Sequence, residues 1–343
     1  MSRIDSLLRM IAPFIRPIYG GAGVILMFHR VLPKESRPRI RGHAVLEVTP
    51  EALERTIHYF ARRDYQVYSP DDLYRFLTGD VKKAEKPFVL FTFDDGYVDN
   101  LTFAFPIFKK HNIPLTINVS TCFPEQTAII WWYLLEYLIL DNAHLTFEYE
   151  GNIYDFNCEA EEGKSQTYAV IRKLFKFANV QQREQLTRSV LLANKMDLLR
   201  KVGEVALTWR QLQQLAVDPL VTLSAHTVNH YVLSSLREEE VRFEISESKR
   251  ILEDKLDKEI NHFAYPFGNR HEAERREFRI AADYGFKTAM TTRAGNIFPF
   301  HSSHLLTLPR HDLAPLSLPN DLDVVASGAL SMRVNRFKRT NTT

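Results

Sequence analysis

Short apolar runs alternate along the chain with longer stretches in which apolar residues recur every three or four positions. Gly23 to Phe28 (GVILMF), Phe88 to Phe93 (FVLFTF) and Pro114 to Val119 (PLTINV) read as buried strands, and further strands are expected at about 220–224, 260–264, 286–290 and 305–308. Between them lie helical patterns. Thr49 is placed as an N-cap with Pro50 at the first helical position, opening a helix over about 50–63. Others are expected near Asp71–Leu77, at about 97–110 with a kink at Pro106, at 237–256, and at 272–284, where Gly285 stands at the C′ position. Strands alternating with helices predict an α/β fold built on a parallel sheet or barrel.

One region breaks the alternation. Residues of about 123–207 are mostly helical in pattern, and carry Trp131, Trp132, Tyr133 and Tyr137. A connection of that length exceeds an ordinary loop, so it is expected to be an insertion with its own structure. The expected organisation is therefore an N-terminal segment 1–22, a main domain 23–330 interrupted by the insertion, and a basic, frayed tail at 331–343. In the N-terminal segment Ile4, Leu7, Leu8 and Ile11 follow helical spacing. Arg9, Pro13, Arg16 and Pro17 interrupt it, which excludes a signal-peptide core or a membrane span. Two readings stay open, a helix packed on its own domain and a helix lying on a membrane surface.

Composition narrows the function class. The chain is 45% hydrophobic and 25% charged with a net charge of +2, so no nucleic-acid partner is expected. Cys122 and Cys158 form no C-x-x-C pair, which fits a reducing compartment. The expected location is cytoplasmic, with peripheral contact at the inner membrane face if the N-terminal helix lies on lipid.

The chemistry concentrates in two short stretches. FTFDDGYVDN sets Asp94 and Asp95 side by side at a strand end, with Gly96 permitting a sharp turn. In parallel α/β folds ligands bind at the carboxyl ends of strands. A divalent metal resolves the repulsion, with one carboxylate on the ion and the other accepting a proton from water. SAHTVNH follows another apolar run and offers His226 and His230, four residues apart, sharing a face if they lie on a helical turn. Two histidines, a carboxylate and an open position suit a catalytic zinc.

The motifs Thr92-Phe93-Asp94-Asp95-Gly96-Tyr97, Ala225-His226-Thr227-Val228-Asn229-His230 and Phe263-Ala264-Tyr265-Pro266-Phe267-Gly268 occur in the order and spacing of a known family. On them the chain resembles the polysaccharide deacetylases with the NodB homology domain, carbohydrate esterase family 4, over about 23–122 and 207–312. The resemblance implies a distorted (β/α) barrel of about seven strands and metal-dependent removal of acetyl from an amino sugar. It implies Asp94 as general base and Asp95, His226 and His230 as ligands of a divalent metal, most simply Zn²⁺. Tyr97, Pro266 and Phe267 would border the substrate, with an oxyanion donor from the Tyr97 backbone. Thr227 is read either as an anion or solvent contact or as a local backbone cap.

The sequence departs from the family pattern in two places. The third motif often carries an arginine that pairs with the base, and here that position is Ala264, so Arg310 is the replacement candidate at the site. The downstream Asp-x-x-x-Trp motif is missing, and Trp209 precedes the histidine motif instead, which resembles a subgroup acting on bacterial exopolysaccharides. In that subgroup the general acid comes from an early strand, which points to His29. His311 is the alternative acid. The expected partner is an acylated glycan or glycolipid. Competing readings are a deformylase or O-acetyl esterase on a sugar, and an inactive carbohydrate-binding barrel.

Overall fold

The computed structural model describes residues 3–34, 38–80, 86–313 and 321–339, with the side chains of residues 3–6, 41 and 321 set aside. Seven parallel strands form the central sheet: β1 (Gly23–Phe28), β2 (Phe88–Phe93), β3 (Leu115–Val119), β4 (Val221–Ala225), β5 (His262–Ala264), β6 (Thr288–Met290) and β7 (His311–Asp312). Their spatial order is β6-β5-β4-β3-β2-β1-β7, and Gln66–Val67 adds a short parallel pairing to the start of β2. β1, β2 and β3 are buried at every position, as expected of parallel strands covered on both faces.

The strand expected at 305–308 belongs to a longer segment that reaches both open edges. Ala289 N–H donates to Leu305 O at 2.9 Å and Thr291 N–H to Leu308 O at 2.8 Å, along β6. A few residues later Leu26 pairs with His311 and Met27 with Asp312, along β1. The sheet is thereby curved into a distorted (β/α) barrel.

Local signals set the helices. The Thr49 hydroxyl accepts from Ala52 N–H at 3.2 Å and Pro50 opens the Pro50–Ala61 helix. The helix expected over 97–110 is two pieces. A π-helical turn, Asn100–Ala104, precedes the α-helix Phe105–His111, so Pro106 sits in a first turn where its missing N–H costs nothing. The long Glu238–Leu256 helix and the Arg275–Asp283 helix pack together outside the sheet.

The inserted segment has its own apolar core, built on the helices Trp131–Asp141, Glu161–Phe177 and Val180–Leu186. It also contains an antiparallel hairpin, His144–Tyr149 with Asn152–Asn157. Buried charge ties it to the barrel. Glu136, fully buried, accepts from Ile40 N–H at 2.9 Å and Arg39 Nε at 3.1 Å and meets His43 Nδ1 at 2.9 Å. Arg30 donates to Asp99 at 2.8 Å and to the Tyr133 hydroxyl at 3.0 Å. An uncompensated buried charge is costly, so these links hold the insertion in one place. The expected tail is structured in part, because Ala329–Val334 is helical and packs against the Arg3–Tyr19 helix; residues 340–343 lie outside the described residues.

Candidate active site

Six strands deliver residues to one barrel end. His29 follows β1, Asp94 and Asp95 follow β2, His226 follows β4, Phe267 follows β5, Thr292 follows β6, and Asp312 closes β7. All line one cavity of about 220 Å³. The insertion supplies the opposite wall through Trp131, Trp132, Tyr168, Arg172 and Lys176.

The turn after β2 separates the two carboxylates. Asp95 has φ 79° and Gly96 φ 98°, two consecutive left-handed residues that swing Asp95 away from Asp94. Asp94 keeps the strand direction and meets Arg310. Its Oδ1 accepts from Arg310 Nη1 at 2.7 Å and Asn118 Nδ2 at 2.6 Å, and its Oδ2 accepts from Arg310 Nη2 at 2.8 Å. Arg310 is fixed in turn by Thr291 O and the Thr92 hydroxyl, both at 3.0 Å, and has no exposed surface. Burial opposes ionisation of Asp94, but the adjacent Arg310 guanidinium, helped by His226, holds the carboxyl down to about 2. A carboxylate has about four lone-pair sites, and these three bonds leave one on Oδ2.

Asp95 faces the histidines. His226 Nε2 lies 3.5 Å and His230 Nε2 3.1 Å from Asp95 Oδ1. His226 Nδ1 is 2.7 Å from Ala264 O; a carbonyl can only accept, so the proton is on Nδ1 and Nε2 is a free lone pair. Burial pushes the His230 imidazole below its ordinary value despite the pull of Asp95. Burial also opposes charge on Asp95, but His230 and His226 hold its carboxyl well below the usual range. Two imidazole Nε2 atoms and a carboxylate, converging with an Asp95 oxygen left without a hydrogen bond, are the donor set and geometry a divalent cation requires. The residues fit such an ion. Among the described residues one other group has this ligand spacing, Glu54, His58 and His111, but it is partly exposed and Lys110 Nζ already sits 2.7 Å from Glu54.

The His226–His230 stretch is not helical. Thr227 and His230 have positive φ, 66° and 53°, and the loop is held from outside. Glu244 accepts from Val228 N–H, Asn229 N–H and Asn229 Nδ2, and the Thr227 hydroxyl accepts from His230 N–H at 3.1 Å. Thr227 is therefore a backbone cap. The His230 ring packs between Trp132 and Phe267, with centroids at 5.4 and 5.0 Å.

Several expected contacts are placed differently. Tyr97 is fully buried, its hydroxyl accepting from Trp132 Nε1 at 3.1 Å, so its side chain supports the insertion and does not border the cavity. Pro266 is buried behind Phe267, and its carbonyl accepts from Gly268 N–H at 2.6 Å. A Cβ on Gly268 would meet Tyr265 O at 2.8 Å, so this turn requires glycine. Arg310 touches Asp94 and does not line the cavity. His311 points away from it because successive strand residues face opposite sides and its neighbour Asp312 takes the cavity face. Its Nε2 donates to Asn296 Oδ1 at 2.8 Å, and burial pushes it down to about 4. His29, half-buried with Nδ1 unpartnered, lines the cavity. Trp209 pairs with Glu125 instead. The sequence reading missed Asn118; a lone asparagine inside an apolar strand was its signal.

The family model for polysaccharide deacetylase matches residues 163–289, which include β4, the His226–His230 loop and β5. A curated relative from Bacillus subtilis, the putative polysaccharide deacetylase YxkH, is 21% identical over 271 residues, covering 79% of this chain and 64% of the relative's own length. The Streptococcus pyogenes deacetylase PplD, solved in complex with acetate, is 20% identical with a TM-score of 0.54 over 84% of this chain and 90% of that one. IcaB from Ammonifex degensii is 18% identical with a TM-score of 0.56 over 91% and 98%. The two structures share the fold, while the family match falls on the strands and loop that carry the histidines, so over residues 163–289 the chain is similar to the polysaccharide deacetylases.

Proposed function

We propose that this protein is a metal-dependent hydrolase that removes the N-acetyl group from an amino sugar in a polysaccharide or glycolipid. The observation that carries the reading is the buried pair of carboxylates with separate partners, Asp94 on Arg310 and Asp95 on His226 and His230. Similarity to the polysaccharide deacetylase family model and to the putative polysaccharide deacetylase YxkH supports a polysaccharide as the substrate class.

Asp95, His226 and His230 are the residues that would hold the metal. When bound there, a divalent ion, most simply Zn²⁺, lowers the pKa of water and polarises a carbonyl. Asp94 uses its remaining lone pair to accept a proton as water attacks the acetyl carbon. Arg310 and Asn118 fix the carboxylate so that the lone pair points into the cavity. His29, on the cavity wall across from the histidine loop, donates a proton to the departing amine. The cavity is smaller than the roughly 300–1,000 Å³ of typical ligand pockets, so it takes the acetamido group and the sugar that bears it, with the rest of the glycan outside. Phe267 and the edges of Trp131 and Trp132 give that sugar apolar walls.

The test is incubation of metal-loaded protein with N-acetyl, N-formyl and O-acetyl sugars, identifying the released acid. The reading expects acetate from the N-acetyl substrates. Formate alone identifies a deformylase, acetate from esters alone identifies an esterase, and no acid from any of them leaves a binding protein.

A further inference from the structure

The Arg3–Tyr19 helix has two apolar faces, and the domain uses one. Leu8 and Ala12 are buried, and Ile11 and Ile15 half-buried, against Val324, Ala329 and Leu330 of the C-terminal helices. On the other face Leu7, Met10, Phe14 and Ile18 are 50, 66, 80 and 49% exposed. Their helical spacing puts them in one stripe. A helix that served only to pack on its own domain would carry polar residues there.

The end of the chain continues this surface. The Tyr19 hydroxyl donates to Phe337 O at 3.0 Å, and the Phe337 side chain is exposed. Around it Arg333, Arg336, Lys338 and Arg339 are all exposed, and no acidic residue follows Asp323. Arg339 lies over the Tyr19 ring and shares a shallow depression with Arg16 and Ile18. The bordering acid, Asp323, is already paired with Arg63 at 2.9 Å.

We infer that this face docks on an anionic lipid bilayer. The apolar stripe enters the headgroup boundary and the arginines and lysine meet lipid phosphates; apolar area combined with a basic cluster is the pair of signals that stable surface binding needs. The charge argues against a second copy of this chain, because a symmetric contact would set like-charged clusters against each other. The geometry adds a direction. The helix ends at Tyr19, just before β1 starts at Gly23, and Arg16 reaches Tyr65, which precedes the strand paired with the start of β2. The docking face is therefore at the barrel end opposite the cavity, and the catalytic mouth opens away from the bilayer.

Flotation of the full chain with vesicles tests this independently of turnover. Binding to phosphatidylcholine–phosphatidylglycerol vesicles, weakened by salt and absent with phosphatidylcholine alone, is expected. Met10→Glu/Phe14→Glu and, separately, Arg336→Glu/Lys338→Glu/Arg339→Glu should each reduce it about tenfold or more while circular dichroism stays unchanged. Equal binding to both vesicle types, or none to either, overturns the proposal. So does a concentration-dependent dimer that Met10→Glu/Phe14→Glu abolishes, which would identify a second copy as the occupant.

Discussion

Replacing Arg310 with methionine removes the charge that keeps Asp94 ionised while roughly preserving side-chain bulk. The pair is buried on both sides, with exposures of 0 and 3%. It holds Asp94 at about 2, where an aspartate ordinarily titrates near 3.8. That difference alone is worth about 2.5 kcal/mol. Without Arg310 the burial of Asp94 is no longer offset, so its pKa rises beyond the ordinary value and the stability loss at neutral pH reaches about 3–5 kcal/mol. The sign follows from linkage. A depressed carboxyl stabilises the fold above about pH 4 and loses that contribution as pH falls towards 2, so the stability gap between wild type and Arg310→Met narrows in acid. Urea denaturation across pH measures the gap, and kcat/KM across pH reads the base directly. Its acid limb should move upward by about two pH units or more in Arg310→Met, with Arg310→Lys in between because it keeps charge without the two-pronged contact. An unmoved acid limb together with wild-type turnover would refute the role given to Arg310.

Other consequences follow from the same geometry. Asp94→Asn should keep its metal, measured by elemental analysis, yet lose about 10²–10⁴-fold in turnover, because the amide cannot accept the proton. His29→Ala should slow an N-acetyl substrate far more than an activated acetate ester, whose leaving group needs no proton; equal losses on both would remove His29 as the acid. Burial pushes both His301 and His311 down to about 4 from an ordinary 6.5. Their neutral forms therefore stabilise the fold above about pH 6.5, and up to about 3 kcal/mol per histidine is lost as pH falls to 4. A His311→Asn variant, less stable at pH 7, should show a shallower decline over that window in urea denaturation.

What the sequence made legible was local. Thr49-Pro50 announces a helix start, and the Asp94-Asp95-Gly96 and His226–His230 stretches announce strand ends, because each signal lies within a few residues of its effect. Asn118 and Arg310 meet Asp94 only after the barrel has formed, from positions 24 and 216 residues away in the chain. Local signals for such partners are weak: a polar residue inside an apolar strand for Asn118, and the missing arginine at Ala264, which left a vacancy for Arg310 to fill. The spacing of His226 and His230 suggested a helical turn, yet the two are joined by a loop with left-handed residues held by Glu244. The insertion's hairpin had a readable alternation, exposed and buried in turn from His144 to Tyr149 with Glu150-Gly151 at the turn, but the aromatic helix before it dominated the pattern. The insertion is also no detachable lid. Arg183 lies 3.5 Å from the carbonyls of Asn229 and His230, and Trp132 packs on His230, so deleting it would disturb the histidine loop itself.

The central claim is that Asp94, Asp95, His226 and His230 form one hydrolytic centre for an N-acetylated sugar. The most direct measurement quantifies acetate and newly formed primary amine together, from an N-acetylated amino-sugar oligomer treated with metal-loaded protein. Equal amounts of the two are expected, abolished by chelation and nearly absent with Asp94→Asn. Acetate without amine, or equal yields from wild type and Asp94→Asn, would contradict it.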